Sequence, residues 1–364
     1  MRVELQEISK VIMGQSPKGE SYNEDGIGLP LLNGAADYKG NIFKPKKYTS
    51  EPTRVAHKGD ILLGIRATIG NFAISDSEYC IGRGVAAIRV DEKKAHKAYI
   101  LKCVERELSR IIHRAAGSTI KGIKKEDLTQ MKLNLPPLDQ QKKIAAILDA
   151  ADAYRQKTKA LIEKYDELTQ SLFLDMFGDP VTNPKGWIKK TVLDIAKTLF
   201  AGGDVPKNNF SKESNKDYNI PIYSNGLNEK ALYGFTNLAK VNEESITLSA
   251  RGTIGHPEVR KAPFYPIIRL IVITPKIDII HSQYLKRALS FLAYGKGGSS
   301  IPQLTIPMVK DKEVLIPPKE LQNQFAERIQ AIEAQKAQAQ ASLAQAEDLF
   351  NSLLQRAFKG ELTA

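Results

Sequence analysis

The chain has 364 residues and a mass of 40.3 kDa, which is enough for two domains, and its hydrophobic content of 42% is that of a globular protein. No run approaches the ~20 apolar residues of a membrane span, the N-terminus lacks the apolar core of a signal peptide, and two cysteines cannot build a disulfide framework. We therefore expect a soluble cytoplasmic protein with no membrane partner. The formal net charge of +12 favours a polyanionic partner.

The positive charge is confined to two segments of similar length. Residues 1–136 (module 1) and residues 179–318 (module 2) each carry a net charge of +7. Residues 137–178 and residues 319–364 each carry −1. This alternation predicts that one basic unit occurs twice, and that the segments between the two copies have a different task.

An internal repeat supports the same division. Arg66-Ala-Thr-Ile-Gly70 lies over Arg251-Gly-Thr-Ile-Gly255 at an offset of 185 residues. Further anchors keep the same order: Leu29–Gly34 with Ile220–Asn225, Gly117–Ile120 with Gly298–Ile301, Leu135–Pro137 with Ile316–Pro318, and Ser171–Phe177 with Ser352–Phe358. Ordered self-similarity along the whole chain indicates a tandem duplication.

Each module is predicted to be a mixed α/β fold of short strands and polar turns. The first ten residues alternate like a strand. The β-type runs are 61–65 and 85–90 in module 1 and 246–248 and 270–273 in module 2, and one amphipathic helix follows in each copy, near 99–114 and 283–293. A Pro-Pro pair closes each module, because the residue before a proline is driven away from helical conformation.

A long helix is predicted after each module. Both helices have apolar residues that advance by threes and fours, as in a coiled-coil seam, and Gly178 and Gly360 are suited to end them. The seam residues are Ile144, Ile147, Ala151, Tyr154, Thr158, Leu161, Tyr165, Leu168 and Leu172 in the first helix, and Leu321, Phe325, Ile329, Ile332, Lys336, Ala339, Leu343, Ala346, Phe350 and Leu353 in the second. A helix of ~36 residues spans ~55 Å, more than one small module covers, so the two helices are predicted to pair with each other.

A glycine pattern in module 1 suggests cofactor binding, but the second copy argues against it. Gly82-Arg-Gly-Val-Ala-Ala87 fits a weak dinucleotide-binding pattern. A predicted strand follows the pattern where a helix is required, and module 2 has Ile267 and Arg269 in place of the glycines. We therefore expect no cofactor on this chain.

Acidic residues in module 1 suggest a nuclease metal site, but the second copy argues against this site as well. Asp76 and Asp91-Glu-Lys93 have the right residue types, but module 2 carries Lys261 and Lys276 at the two aspartate positions. The five histidines are scattered, with no spacing typical of metal ligands. Asn134-Leu-Pro-Pro-Leu138 only loosely resembles the Asn-Pro-Pro-aromatic loop of adenine methyltransferases. The sequence therefore predicts no catalytic or metal site.

Two basic modules with polar loops are suited to bind double-stranded DNA, since Lys and Arg contact phosphates while polar side chains contact base edges. The candidates lie in the Arg-x-Thr-Ile-Gly loops, the Gly-Ser-Thr/Ser-Ile loops, the glycine-pattern turns and the divergent loops 33–58 and 203–242. They are Asn33, Lys46, Lys47, Arg66, Thr68, Arg83, Ser118, Thr119 and Lys121 in module 1, and Lys207, Ser224, Asn225, Arg251, Thr253, Arg269, Ser299, Ser300 and Gln303 in module 2.

The whole chain resembles the specificity (S) subunit of Type I restriction–modification systems. Leu135-Pro-Pro-Leu-Asp-Gln-Gln141, its degraded copy Ile316–Gln322, and the doubled loops carry the resemblance. It implies an α+β fold in which two target recognition domains (1–136 and 179–318) alternate with two conserved helices (137–178 and 319–364). The helices pair as an antiparallel coiled coil that sets the length of the unread spacer.

The resemblance further implies a role without catalysis. The S subunit reads a split, asymmetric DNA site, one half per recognition domain. Two modification (M) subunits, which bind S-adenosylmethionine and methylate adenine N6, dock on it, and restriction (R) subunits bring ATP- and Mg²⁺-dependent translocation and cleavage. This chain itself is expected to bind none of these cofactors.

Three other interpretations compete with this one. The chain could be a DNA-binding regulator that acts alone, a fused nuclease or methyltransferase, or a coiled-coil adaptor without a nucleic-acid role. Apolar helix faces left exposed after pairing would argue against the first. Modification or cleavage of DNA by the purified chain would support the second, and DNA binding without a steep loss on raising salt would support the third.

Overall fold

The computed structural model describes residues 1–34, 37–39, 42–66, 69–114, 122–294 and 303–362. The chain forms two compact units. Unit 1 comprises Met1–Lys157 with Leu343–Ala364, and unit 2 comprises Thr158–Ser342. In the described part of the chain, no helix is both long enough and apolar enough to cross a membrane.

Module 1 is built from short strands and a few helices, and the first long helix follows it. The elements are β1 (Arg2–Glu4), α1 (Leu5–Ile8), β2 (Ser9–Met13), β3 (Tyr22–Asn23), β4 (Leu29–Leu32), β5 (Tyr38–Lys39), β6 (Ile42–Phe43), β7 (Lys47–Thr49), β8 (Val55–Ala56), β9 (Ile61–Gly64), β10 (Phe72–Ile74), β11 (Tyr79–Ile81), β12 (Val85–Val90), α2 (Lys97–Arg114), α3 (Lys125–Thr129), β13 (Lys132–Asn134) and α4 (Leu138–Phe177).

Module 2 has a similar order of elements, and the second long helix follows it. The elements are β14 (Ile188–Thr191), α5 (Val192–Ile195), β15 (Ala196–Ala201), β16 (Ile220–Tyr223), β17 (Leu232–Thr236), β18 (Ser245–Leu248), β19 (Pro257–Arg260), β20 (Tyr265–Pro266), β21 (Ile271–Pro275), α6 (Ser282–Ser290), α7 (Ile306–Lys310), β22 (Glu313–Ile316) and α8 (Lys319–Lys359).

The two modules share their sheet topology. The main sheet of module 1 has the order β10-β9-β12-β2, and that of module 2 has the order β19-β18-β21-β15, with antiparallel pairing throughout. A parallel pair stands beside each main sheet, β4 with β11 and β16 with β20. The ends of each module also pair, β1 with β13 and β14 with β22. The sequence repeat is therefore a repeat of the fold.

The predicted internal strands and amphipathic helices are present, with bounds shifted by a few residues, but the N-terminal prediction is wrong in part. A helical turn, α1, interrupts the expected strand. The Glu4 amide donates to the Glu7 carboxylate at 2.6 Å, which closes the turn. Leu5 and Ile8, three residues apart, are both buried against the core. Three-residue spacing of the buried side chains suits a helical turn better than a strand.

Each unit buries parts of both long helices in its core. In unit 1, Leu148 of α4 and Phe358 of α8 belong to the module 1 core. In unit 2, Phe177 of α4 and Phe325 of α8 belong to the module 2 core. Full burial of one such side chain contributes roughly 1.5–3 kcal/mol. Each long helix therefore begins on its own module and ends on the module of the other repeat.

The helices run antiparallel within each unit. In unit 2 the Asp166 carboxylate binds the Lys336 ammonium at 2.5 Å, and the Phe173 and Phe325 rings lie 5.7 Å apart. In unit 1 the Arg155 guanidinium lies 4.4 Å from the centre of the Phe350 ring. The carboxylate of the facing helix therefore compensates the charged seam position Lys336.

The predicted seam is correct in α8 and wrong at four positions of α4. All the predicted α8 residues are buried or half-buried, whereas Ile147, Tyr154, Leu161 and Leu168 of α4 are 38–54% exposed. A helix turns every 3.6 residues, so a spacing of threes and fours fits either of two adjacent sides of the same helix. The facing side of α4 lies one residue later, at Leu148, Arg155, Ile162 and Thr169, which are buried or half-buried. The four predicted side chains are therefore left as an exposed heptad series.

A buried glutamine joins each module to its long helix. In module 1, the Gln141 side chain accepts a hydrogen bond from the His96 amide at 2.8 Å and donates to the Pro136 carbonyl. In module 2, Gln322 makes the same contacts with His281 and Pro317. Both glutamines are almost fully buried. The repeated Pro-Pro…Gln pattern is therefore a structural junction, because each glutamine side chain pairs with the amide of a histidine and with the carbonyl of a proline.

Candidate nucleic-acid interface

In module 1, three predicted DNA-binding residues lie at one edge of the main sheet. Arg66 follows β9, and Arg83 lies in the turn before β12. The Ile65 amide donates to the Gly84 carbonyl at 2.9 Å and thereby joins these two loops. Asn33, directly after β4, packs against the same turn, where a Cβ on Gly84 would lie 2.3 Å from the Asn33 carbonyl oxygen. The Asn33, Arg66 and Arg83 side chains are all exposed.

Module 2 repeats this edge with an arginine at the position of Arg66 and with other side chains beside it. Arg251 follows β18, and Arg269 lies in the turn before β21. The Leu304 amide donates to the Ala250 carbonyl at 2.9 Å, which brings the segment with Gln303 beside Arg251. Arg251 and Arg269 are exposed, and Gln303 is half-buried. The structure thus collects candidates that are 52 residues apart in sequence.

Asn225 connects the parts of this edge in module 2. Its Nδ2 donates to the Ile268 carbonyl at 2.7 Å, and its Oδ1 accepts from the amides of Ala250 and Arg251 at 2.6 and 3.3 Å. The half-buried side chain is therefore engaged on both sides by backbone. It ties the turn that carries Arg269 to the loop that carries Arg251.

A small cavity of ≈290 Å³ opens between the predicted side chains of module 2. Arg251, Arg269, Gln303 and Thr305 provide its polar lining. The Arg251 guanidinium donates twice to Gln303 Oε1, from Nε at 3.2 Å and from an Nη at 2.9 Å. A two-bond contact fixes the plane of the guanidinium and leaves its other N–H groups available.

The turn before β21 is strained. Ile268 and Arg269 have φ angles of 52° and 62°, in the left-handed region that residues other than glycine rarely adopt. Such a conformation costs on the order of 1–3 kcal/mol per residue and persists only where the surroundings impose it. Here the Ile268 amide donates to Gly203 and the Arg269 amide donates to Gly202, at 2.8 and 3.2 Å. Module 1 has glycine at the position of Arg269 and no left-handed residue in this turn.

The remaining predicted residues fall into two groups. Lys46, Lys47, Lys207 and Thr253 are exposed, whereas Ser224 is half-buried and its amide donates to the Ala231 carbonyl. Thr68, Ser118, Thr119, Lys121, Ser299 and Ser300 lie outside the described residues. The exposed lysines have the chemistry of phosphate contacts, which are made by cations that remain accessible.

The glycine of the Arg-x-Thr-Ile-Gly loop has a structural role in both modules. Gly70 and Gly255 have φ angles of 99° and 80°. A Cβ on Gly255 would lie 2.3 Å from the ring of Tyr294. The loop therefore needs glycine for its backbone conformation, and in module 2 for close packing as well. Part of the motif is scaffold, and Arg66 and Arg251 are the side chains it presents.

A larger groove of ≈1410 Å³ in unit 2 lies beside Arg251, but internal ion pairs neutralise part of its basic lining. Lys286 binds Glu258 at 2.9 Å, and Lys336 binds Asp166. Burial lowers the pKa of Arg287 from its ordinary value, because desolvation disfavours the charged form. The edge that carries Arg251 and Arg269 is thus the more accessible cationic surface.

A family model described as the Type I restriction modification DNA specificity domain matches residues 1–165 and again residues 184–347. The two matches cover most of the chain in two consecutive copies. The chain belongs to this family.

Curated relatives are specificity subunits as well. The MjaX specificity subunit of Methanocaldococcus jannaschii is 38% identical over 169 residues, which are 45% of this chain and 40% of that protein. The MjaIX specificity subunit of the same organism is 24% identical, over 98% of this chain and 92% of the relative. The EcoBI specificity subunit of Escherichia coli is 24% identical, over 100% and 86%. The chain therefore spans less than half of the first relative and most of the other two.

Two solved structures have the same fold. The S subunit of a Type I restriction–modification system from M. genitalium superposes with a TM-score of 0.67 at 17% identity, covering 98% of this chain and 96% of that one. A chain from a study of complex assembly in the Type I system gives 0.59 at 18% identity, covering 100% and 98%. The predicted α+β tandem duplication and the predicted resemblance to Type I specificity subunits are confirmed. The prediction that the chain is not an enzyme agrees with the names of its relatives.

The glycines of the suggested cofactor pattern pack against a side chain of the specificity domain itself. A Cβ on Gly82 would lie 2.1 Å from Asn33 Oδ1. The Gly82 amide donates to the Leu32 carbonyl at 2.7 Å, inside the module. A side chain at Gly82 or Gly84 would clash with Asn33, which follows β4. The spacing of the glycines is therefore explained by packing within the module.

The aspartates of the suggested nuclease site bind neighbouring groups. Asp76 accepts a hydrogen bond from the Tyr79 hydroxyl at 2.6 Å, and Asp91 accepts one from the Lys93 amide at 3.1 Å. Among the described residues, no group of three or more His, Cys, Asp and Glu side chains is arranged to hold a metal ion.

One buried ion pair of module 1 is absent from the sequence-based predictions. Asp60 is 3% exposed and binds Arg89 through both of its oxygens, at 2.8–3.3 Å. At the corresponding positions module 2 has Ser245 and Thr274, whose hydroxyls lie 2.8 Å apart. The offset of 185 residues pairs these positions. An alignment of the two copies therefore indicates the ion pair, because both of its residues are replaced together in module 2.

Proposed function

We propose that this chain is the DNA-recognition subunit of a Type I restriction–modification complex, with no catalysis of its own. It reads a bipartite, asymmetric double-stranded DNA site, one half with each module. The observation that carries the proposal is the doubled sheet edge. Both edges present an arginine at equivalent positions, Arg66 and Arg251. The side chains beside it differ: Asn33 and Arg83 in module 1, and Arg269 and Gln303 in module 2.

The chemistry of these edges supports DNA as the ligand. Arginine forks onto guanine or phosphate, and glutamine and asparagine match the edges of adenine. The exposed lysines of the two modules supply salt-dependent contacts to phosphates. Because the scaffold is shared while the side chains beside Arg66 and Arg251 differ, the two half-sites are expected to have different sequences.

The long helices are proposed to carry the partner subunits and to set the spacer. Ile147 and Tyr154 in unit 1, and Leu161 and Leu168 in unit 2, are exposed at seven-residue intervals along α4. An apolar series of this kind is typical of a helix that packs against another protein. Two M subunits are its proposed partners, with R subunits joining the complex. S-adenosylmethionine, ATP and Mg²⁺ belong to those subunits. The exposed series also argues against a regulator that acts alone.

Removing two exposed lysines tests the DNA contact. Lys46→Ala/Lys47→Ala is expected to weaken binding of the complex to all duplexes alike. It should reduce the slope of log affinity against log salt by up to about 2, since each lost phosphate contact removes roughly 0.9. The measurement is fluorescence anisotropy with a labelled duplex between about 50 and 200 mM salt.

A matched pair on α4 serves as the control. Lys142→Ala/Lys143→Ala removes the same charge from exposed positions outside the modules and should leave the slope unchanged. Equal slopes for the wild type and the Lys46/Lys47 variant would contradict a phosphate role for this part of module 1. DNA binding by the wild type without any salt dependence would contradict the proposed function.

A further inference from the structure

The strained turn in module 2 places an arginine where module 1 has a glycine. Residues 267–269 correspond to Gly82-Arg83-Gly84, and only the module 2 turn contains left-handed residues among those described. Ile268 is β-branched, which makes its φ of 52° especially unfavourable. A glycine at position 269 would relieve part of this strain without changing the path of the chain. The side chain at 269 is therefore kept at a cost to stability, which points to a function.

The surroundings of Arg269 fix its backbone and leave its guanidinium free to bind a ligand. The Asn225 side-chain amide donates a hydrogen bond to the Ile268 carbonyl, and the Gly202 carbonyl accepts one from the Arg269 amide. Ile267 is fully buried and anchors the turn, whereas Arg269 is exposed. Its guanidinium makes no hydrogen bond and no ion pair with any residue that the structure describes. A cation that is held in place but has no partner among these residues is suited to bind an acceptor on another molecule.

The polar groups around the cavity beside Arg269 are mainly donors. Arg269 has five N–H donors, and Arg251 keeps those it does not direct to Gln303. Gln303 Oε1 is occupied by Arg251, so its amide presents the Nε2 donors. The base edge that offers two neighbouring acceptors in the major groove is that of guanine, through O6 and N7. Adenine and cytosine would each place an amino group against these donors.

We propose that Arg269 reads a guanine in the half-site bound by module 2, within a donor cluster completed by Arg251 and Gln303. Asn225 is a positioning residue that holds the turn and the Arg251 loop in place. The proposal rests on the proposed function and adds one base-contacting residue, Arg269, and the base that it contacts, a guanine.

Arg269→Gly tests the proposal, because it removes the side chain while relieving backbone strain. The wild-type and variant complexes with the M subunit select from a library of duplexes with randomised positions. The variant is expected to recover the first half-site and the spacer unchanged, to lose its preference for one guanine in the second half, and to bind the wild-type site roughly 5- to 150-fold more weakly. Its Tm should be equal to or above that of the wild type, which excludes unfolding as the cause.

Further variants separate base reading from charge and from scaffold. Arg269→Lys keeps the charge but replaces the rigid planar guanidinium with an ammonium group on a flexible stem, so it should weaken the guanine preference without abolishing it. An equal loss of affinity for all second half-sites in Arg269→Gly, with the guanine preference retained, would show a phosphate contact and overturn the proposal. Asn225→Asp removes the donor to Ile268 and should relax the same position. Arg83→Gly in module 1 is the matched control and should leave the second half-site intact.

Two failures are distinguishable in the same selection. If the wild-type complex recovers no split motif, the proposed function fails. If the wild type recovers a split motif and Arg269→Gly recovers the identical second half, only the role of Arg269 fails.

Discussion

Lengthening both long helices by seven residues is expected to add about 3 base pairs to the unread spacer of the DNA site and to leave both half-sites unchanged. Seven residues are two helical turns and add ~10 Å at 1.5 Å per residue, and the base-pair repeat is ~3.4 Å. A heptad preserves the facing side of each helix. The insertion in α4 belongs near Lys157.

The structure gives the position of the matching insertion in α8. Arg155 lies over Phe350 in unit 1, so the part of α8 that faces Lys157 is near Ala346. Mapping N6-methyladenine in cells that carry the complex with the lengthened subunit gives the new motif. An insertion of seven residues in α4 alone is the control and should reduce methylation, because it breaks the pairing. A doubly lengthened subunit that methylates with the original spacer would refute the role of the helices.

Replacing only Arg89 in the Asp60–Arg89 pair is expected to destabilise the chain by about 2–4 kcal/mol, and replacing both residues by their module 2 counterparts is expected to restore most of that loss. Breaking a buried ion pair typically costs 3–5 kcal/mol, since it leaves one charge without a partner. We expect somewhat less here because a third of the Arg89 side chain is exposed. The Asp60 carboxylate would stay buried in Arg89→Thr. In Asp60→Ser/Arg89→Thr, two hydroxyls can bond as Ser245 and Thr274 do.

Urea unfolding of the four proteins in this double-mutant cycle provides the measurement. Asp60→Ser alone should cost less than Arg89→Thr alone, because the remaining guanidinium can reach water. The matched changes Ser245→Ala and Thr274→Ala in module 2 should each cost about 0.5–1.5 kcal/mol, as for an ordinary hydrogen bond. A double variant no more stable than Arg89→Thr would contradict the inference that the modules use interchangeable solutions at this position.

Much of the fold follows from the sequence because repetition supplies an internal comparison. The strands next to Arg66 and Arg251, the two amphipathic helices and the glycine ends of the long helices were all predictable from local patterns. The N-terminal turn was missed, because burial of Leu5 and Ile8 in the tertiary fold outweighed the alternation. The seam of α4 was assigned to Ile147 instead of Leu148, since helical spacing alone does not show which side faces a partner.

The candidate site was predictable only as a set of residues. Arg251, Asn225, Arg269 and Gln303 were identified as polar or basic loop residues, but their convergence depends on strand pairing between distant segments. The sequence does not show that Asn225 positions loops while Arg269 contacts a ligand, because side-chain hydrogen bonds to backbone groups produce no pattern in the local sequence. The Asp60–Arg89 ion pair is visible in the sequence only as a coupled exchange between the two copies, which patterns within one module do not show.

Mapping N6-methyladenine across the genome of the source cell, with and without this gene, tests the central claim most directly. The proposal predicts methylation at one split motif, with two short, unlike half-sites and a spacer of constant length, and its complete loss when the gene is deleted. Methylation that persists unchanged after deletion, or a motif that is continuous, would contradict the proposal that this chain reads two half-sites with two modules.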